Sequence, residues 1–269
     1  MGRASLPLRH AVALGLLHGP AELLPISSSG HTTLIPWLGG WNYDELDPAA
    51  RKRFEVALHA GAFAGLVIVM RKEIGIAVAG LGAKRIVVLG FASAPAALAG
   101  LALQRPIERY LGRPASIAGS LLGGSVAMAG AEVLGSRDRQ AGDADWLDGL
   151  ALGLAQAAAL VPGVSRSGAT RAVARARGFA REDATQLAFQ VGLPVTFGAL
   201  VLKGREAVRA ERAELAPLAA GALASFVATV ASGTLAQRVE RGRSLLPAAA
   251  YRTALGATVL RRLRHNARR

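Results

Sequence analysis

The sequence has 269 residues, 52% of them hydrophobic and 5% aromatic, with 32 glycines, no cysteine and a formal net charge of +14. A soluble domain carries about 45 to 50% apolar residues on a count that includes glycine. The excess here lies in Ala, Leu, Val and Gly, small residues that let membrane helices approach closely. The missing cysteine excludes disulfide scaffolds, thiolate metal sites and a cysteine nucleophile.

The basic residues do not indicate nucleic acid. They form short clusters between apolar runs, at 51–53, 71–72, 84–85 and in the tail "RRLRHNARR", with few aromatics beside them to stack bases. Loops that rest on anionic headgroups have this pattern.

In chain order, the positive start "MGRASLPLRH" leads into an apolar stretch interrupted by His18, Pro20 and Glu22, so a cleaved signal peptide is not expected. The segment from Ala13, "ALGLLHGPAELLPISSSGHTT", is apolar for about a dozen residues and then breaks at proline and a Ser/Gly cluster, too short to cross a roughly 30 Å core. Such a segment enters the membrane and turns back where helices or a watery cavity cover its backbone. Apolar runs of spanning length follow from Phe54, Ile86 and Ala115.

The long connection at 136–183 contains a second broken segment from Ala151, "ALGLAQAAALVPGVSRSGATR". Further runs begin at Ala184, Leu215 and Leu246, the last interrupted by Arg252, for which packing or snorkelling is expected.

The two broken segments align without gaps at 9 of 21 identical positions, where composition alone gives roughly two, so they read as an internal duplication. Three spans separate the copies, and an odd number places them on opposite membrane sides. The expected fold is an all-α integral membrane protein. It has about six transmembrane helices plus two re-entrant helical segments arranged as an inverted-topology repeat. The chain 1–269 is then a single polytopic domain with repeat halves of about 1–135 and 136–269. Lys and Arg are too evenly divided between the two sides to set the orientation.

In such repeats the broken segments meet near the midplane. One copy supplies Glu22, Ser27, Ser28, Ser29 and His31, the other Ser165, Arg166, Ser167 and Thr170. Ionisable groups in a membrane are costly, which makes each a functional candidate. An acid, a base and a hydroxyl cluster facing an arginine suit a phosphate or diphosphate. The plainer alternatives are a helix cap for Ser27, a structural ion pair for Glu22 with Arg166, and a packing role for His18.

At these residues the sequence resembles the bacterial undecaprenyl-diphosphate phosphatases, also called bacitracin-resistance proteins. The matching stretches are "AELLPISSSGH", "PGVSRSGAT", "FEVALHAGAFAGLVIVMRKEI" and "AYR". The resemblance implies hydrolysis of undecaprenyl diphosphate to undecaprenyl phosphate and inorganic phosphate. That reaction recycles the lipid carrier for peptidoglycan synthesis, in the bacterial plasma membrane.

It also implies Ser28 as nucleophile, His31 as base or acid, Arg166 as the clamp on the transferred phosphoryl, and Glu22 as a holder of a divalent cation, Mg²⁺ or Ca²⁺, or as orienter of His31. Attack by His31 itself is the competing version. Ser27, Ser29, Ser165, Ser167 and Thr170 would bind phosphate. The family pattern carries Glu or Gln where this chain has His18, which puts a hard-cation role for that position in doubt.

The expected partners are a polyprenyl diphosphate and membrane lipids, with a homodimer left open, and no organic cofactor is implied. A transporter or flippase of a phosphorylated polyprenyl lipid is the alternative on the same scaffold. The type 2 phosphatidic acid phosphatase pattern is rejected, because the only histidine after Arg166 is His265 in the basic tail.

Overall fold

The computed structural model describes residues 6–43, 45–135, 138–207, 210–240 and 242–268. The chain start at 1–5 and Ser136, where the central connection was expected to open, lie outside the described residues. Among the described residues the secondary structure is helical, with one 3-10 turn at Ala141–Asp143 and an isolated bridge between Arg139 and Phe179.

The helices are α1 (Leu8–Leu23), α2 (Ser28–Gly39), α3 (Pro48–Val69), α4 (Arg71–Ala79), α5 (Ala83–Leu111), α6 (Pro114–Leu134), α7 (Trp146–Ala158), α8 (Arg166–Ala176), α9 (Arg181–Ala207), α10 (Arg212–Glu240) and α11 (Leu246–Asn266). Their starts are written locally. Asp47 caps α3 by accepting from the Ala49 N–H, with Pro48 in the first turn where its missing N–H costs nothing. Asp145 and Asp148 form a capping box at α7.

All six apolar runs lie in helices, in α3, α5, α6, α9, α10 and α11. Among the described residues four helices are long and apolar enough to cross a membrane: α5, α6, and the stretches Arg181–Gly204 and Arg212–Ala236. Only 17 to 33% of the most apolar window of each is buried inside the protein, so most of that surface faces outward. Leu98, Leu101, Val126, Leu134, Leu223 and Leu235 are exposed there. An apolar surface of this extent needs lipid around it. α3 and α11 are more polar, since α3 opens on Arg51, Lys52 and Arg53, while α11 contains Arg252 and ends in a basic tail.

The chain forms two compact units, each assembled from discontinuous stretches. The first contains the residues up to Leu23, 31–73 and 196–238, which bring together α1, α3 and α10. Its core is Ala11, Leu14, Tyr43, Leu46, Phe54 and Leu58. Gly15 is where α1 meets α10: a methyl there would lie 2.4 Å from the Gly221 carbonyl oxygen. Ser225 on α10 donates to the Leu58 carbonyl of α3 at 2.9 Å.

The second unit contains 24–30, 74–195 and 239–269. α5 packs on α7, α6 on α11, and α8 on both α6 and α7. Gly153, the counterpart of Gly15 in the aligned segments, does the same work here: its methyl would lie 2.6 Å from the Phe91 carbonyl oxygen of α5. At the start of α7, Asp148 is fully buried between Arg139, 2.6 Å away, and Arg177, 2.7 Å away. Burial raises its carboxyl pKa, but hydrogen bonds from Arg139, the Asp145 N–H and Arg177 outweigh that and lower it to about 2. Glu132, also buried, is paired with Arg181 and Arg175 and accepts from the Leu245 N–H.

Candidate active site

The chain leaves α1 at Leu23, turns through 24–27 and starts α2 at Ser28. Ser27 has φ of 75°, the left-handed region that only a well-supported non-glycine residue occupies. Its Oγ accepts from the Gly30 N–H at 3.3 Å and lies 3.4 Å from Ser29 Oγ. The second segment repeats these hydrogen bonds, with Ser165 in the extended region at φ of −65°. Ser165 Oγ accepts from the Gly168 N–H at 3.2 Å and lies 3.2 Å from Ser167 Oγ.

Ser27 and Ser165 occupy equivalent places in the aligned segments and both cap a helix, so the plain reading of Ser27 holds and extends to its counterpart. Capping does not rule out anion binding, because a hydroxyl that accepts from an N–H also has a hydrogen to donate.

The second unit holds both turns together. Ser167 Oγ donates to the Leu24 carbonyl at 3.4 Å. A methyl on Gly30 would come within 3.7 Å of Gly163 Cα, and one on Gly168 within 3.4 Å of the Pro25 carbonyl oxygen. Arg252, 1% exposed on α11, donates to the carbonyls of Pro25 at 3.4 Å, Gly163 at 3.1 Å and Leu121 at 3.4 Å. Pro25 and Gly163 are again counterparts, so one guanidinium ties corresponding points of the two turns. The N-termini of α2 and α8 are thereby brought near each other. Their first residues, Ser28 and Arg166, are counterparts too.

Ser28 is buried. Arg166 Nη1 donates to the Gly192 carbonyl at 2.8 Å, which directs the guanidinium toward α9. Thr170 Oγ1 donates to the Arg166 carbonyl at 2.8 Å, one turn back on its own helix. His31 lies three residues after Ser28 on α2, fully buried, the spacing that puts two side chains on one helix face.

In the first unit, His18 and Glu22 share a face of α1, with His18 Nε2 3.9 Å from Glu22 Oε2. His59 of α3 joins them, its Nδ1 3.6 Å from the same oxygen, and the two imidazoles meet edge to face at 4.5 Å between centroids. His18 is 1% exposed and neither ring nitrogen has a hydrogen-bond partner. A buried polar group left so costs about 1–3 kcal/mol.

Sequence reasoning did not single out His59, although a histidine inside an apolar run is a signal of its own. Nor did it find that Arg252 spans both turns, because no spacing in the sequence indicates which distant carbonyls a buried guanidinium reaches.

Two turns with the same serine-cap hydrogen bonds, one followed by His31 and the other carrying Arg166, are matched by a family model. Residues 11–258 fit the model described as bacitracin resistance protein BacA. The chain belongs to that family.

Relatives that are called undecaprenyl-diphosphatase align with nearly its whole length. The protein from Geobacter metallireducens is 38% identical over 93% of this chain and 96% of its own. That from Geobacter sulfurreducens is 36% identical over 94% and 97%. That from Moorella thermoacetica is 34% identical over 93% and 95%. The BacA match takes in both serine turns, the His18 cluster and Arg252, all within 11–258.

Proposed function

We infer that this protein is an undecaprenyl-diphosphatase, a membrane hydrolase that converts undecaprenyl diphosphate to undecaprenyl phosphate and inorganic phosphate. It thereby returns the lipid carrier to peptidoglycan synthesis in the bacterial plasma membrane and gives bacitracin resistance. The observation that carries the reading is the pair of tied turns, with Ser28 and Arg166 at the first residues of α2 and α8. Helix N-termini offer N–H donors and positive dipole ends to an anion. The outward apolar faces of α5, α6, α9 and α10 supply the environment that a polyprenyl tail requires.

In the proposed reaction Ser28 Oγ attacks the terminal phosphorus, and its proton passes to His31 one turn along α2. The bond from that phosphorus to the bridging oxygen breaks, and His31 hands the proton to the departing undecaprenyl phosphate. Water, deprotonated by His31, then attacks the phosphoserine; the bond from phosphorus to Ser28 Oγ breaks, His31 returns the proton to that oxygen, and inorganic phosphate leaves. Arg166 neutralises the charge that develops on the transferred group.

Ser27, Ser29 and Ser165 donate to phosphate oxygens, Ser167 joins them by turning its one hydroxyl hydrogen away from the Leu24 carbonyl, and Thr170 supports the first turn of α8 through the Arg166 carbonyl. Mg²⁺ and Ca²⁺ prefer all-oxygen shells, whereas two of the three donor groups in the His18, Glu22 and His59 cluster are imidazoles. No step here uses a hard cation.

For the topology we propose six spans, α3, α5, α6, α9, α10 and α11, with α1–α2 and α7–α8 as re-entrant pairs of an inverted repeat. The matching cap pattern of the two serine turns supports the repeat. Because the chain has no cysteine, single cysteines at Asn42 and Asp138 test the inversion directly. They should label from opposite faces, and labelling from one face overturns it.

The deciding experiment for function is phosphate release from a polyprenyl diphosphate by detergent-purified protein, beside R166A and H31A variants. Release that vanishes in both is expected. A folded wild type that releases none, but moves the lipid between leaflets, would replace the hydrolase with a flippase.

A further inference from the structure

His18, Glu22 and His59 offer two imidazole nitrogens and a carboxylate oxygen, all within 4.8 Å of one another. One feature independent of that clustering points to a ligand, and a second holds the donors in place. First, His18 is 1% exposed and both of its ring nitrogens lack a hydrogen-bond partner, although it directs Nε2 at the cluster. Second, both supporting helices are held against α10 beside the histidines. A methyl at Gly19 would lie 2.7 Å from the Thr229 amide nitrogen, and one at Gly65 2.8 Å from Thr229 Cβ. The two histidines therefore sit on helices with little freedom to draw apart.

The donor chemistry selects the ligand. Mg²⁺ demands an octahedron of oxygens and Ca²⁺ six to eight of them, and this cluster provides one carboxylate. A borderline cation such as Zn²⁺ takes His nitrogen and carboxylate oxygen at about 2.0–2.1 Å in a tetrahedron, which sets its donors roughly 3.4 Å apart. The 3.6 and 3.9 Å separations are close to that figure. Side-chain rotation closes the remainder, which for any pair of donors is at most about 1.4 Å.

We propose that His18, Glu22 and His59 form a three-ligand site for a divalent transition metal of the Zn²⁺ class, with the fourth position open, in place of a hard-cation site. The site stands on its own geometry and goes beyond the phosphatase reading. Three protein ligands with an open position is the arrangement that presents a water or a substrate oxygen to the metal. Imidazole donors also place the affinity order in favour of Zn²⁺ or Co²⁺ over Mn²⁺.

The test is direct metal binding by chelator-stripped, detergent-purified full-length protein, with folding checked by its melting curve. Competition against a chromogenic zinc chelator should give one Zn²⁺ per chain, undisturbed by a thousandfold excess of Mg²⁺, and Co²⁺ should give the visible bands of a four- or five-coordinate site. His59→Gln, at a half-buried position, should weaken Zn²⁺ by about 100-fold or more and alter the Co²⁺ spectrum. His18→Glu should shift preference toward Mg²⁺.

Folded protein that binds no Zn²⁺, or His59→Gln and His18→Glu variants that bind it as the wild type does, would overturn the site. Neither result depends on phosphate release.

Discussion

Replacing Arg252 with methionine is the sharpest probe of how the two turns are joined. Methionine fills much of the same volume and keeps the helix, so the change isolates the guanidinium. Three hydrogen bonds disappear, to Gly163 at 3.1 Å and to Pro25 and Leu121 at 3.4 Å. A well-formed hydrogen bond from a charged group contributes about 1.5–3 kcal/mol, and the two longer ones less. Against this, the buried guanidinium no longer has to be desolvated. The net loss is then about 2–3 kcal/mol, which at roughly 2–4 °C per kcal/mol for a chain near this size lowers Tm by about 5–10 °C.

Tryptophan fluorescence melting in detergent reads that shift. Phosphate release should fall at least tenfold even at temperatures where R252M is folded, because the helix N-termini are no longer tied at corresponding points. R252K should fall in between, since one ammonium cannot reach three carbonyls in a planar fork. An R252M variant with wild-type melting and wild-type turnover would refute the clamp.

R166A and S28A should each reduce phosphate release by about 10²-fold or more while shifting Tm by under about 2 °C, as expected for groups that act on a developing charge rather than on packing. If S28A stays inactive and no phosphohistidine can be trapped, direct attack by His31 is excluded.

Asp148 has a folded-state pKa of about 2 against an ordinary 3.8. Its contribution, about 2 kcal/mol, is present above pH ~4 and is lost as pH falls toward 2. D148N should flatten that part of the Tm–pH curve. G15A and G153A should each destabilise by about 1–3 kcal/mol, because the added methyls meet carbonyl oxygens. G100A, whose methyl meets nothing within 4 Å, should be neutral or stabilising.

The helices and the two serine turns were legible because they rest on local chemistry. Apolar runs of membrane length write long helices, four of them long and apolar enough to cross a membrane among the described residues, and Ser-x-x-Gly after a proline-broken stretch writes a capped N-terminus wherever it falls, which is why Ser27 and Ser165 adopt the same hydrogen bonds. The likeness of the two broken segments was visible as matched spacing. His59, Arg252 and the pairing of Asp148 with Arg139 and Arg177 were not, since each depends on which distant backbone or side chain lies opposite.

By itself, then, the sequence determined the membrane class, the helical segments, the motif residues and the family resemblance, all properties carried by composition and by spacing along one strand. Only the tertiary structure decided that a buried arginine on the last helix spans both turns, and that a histidine from α3 joins His18 and Glu22. A buried cation or imidazole must find partners inside the protein, and the identity of those partners follows from packing between helices far apart in the chain.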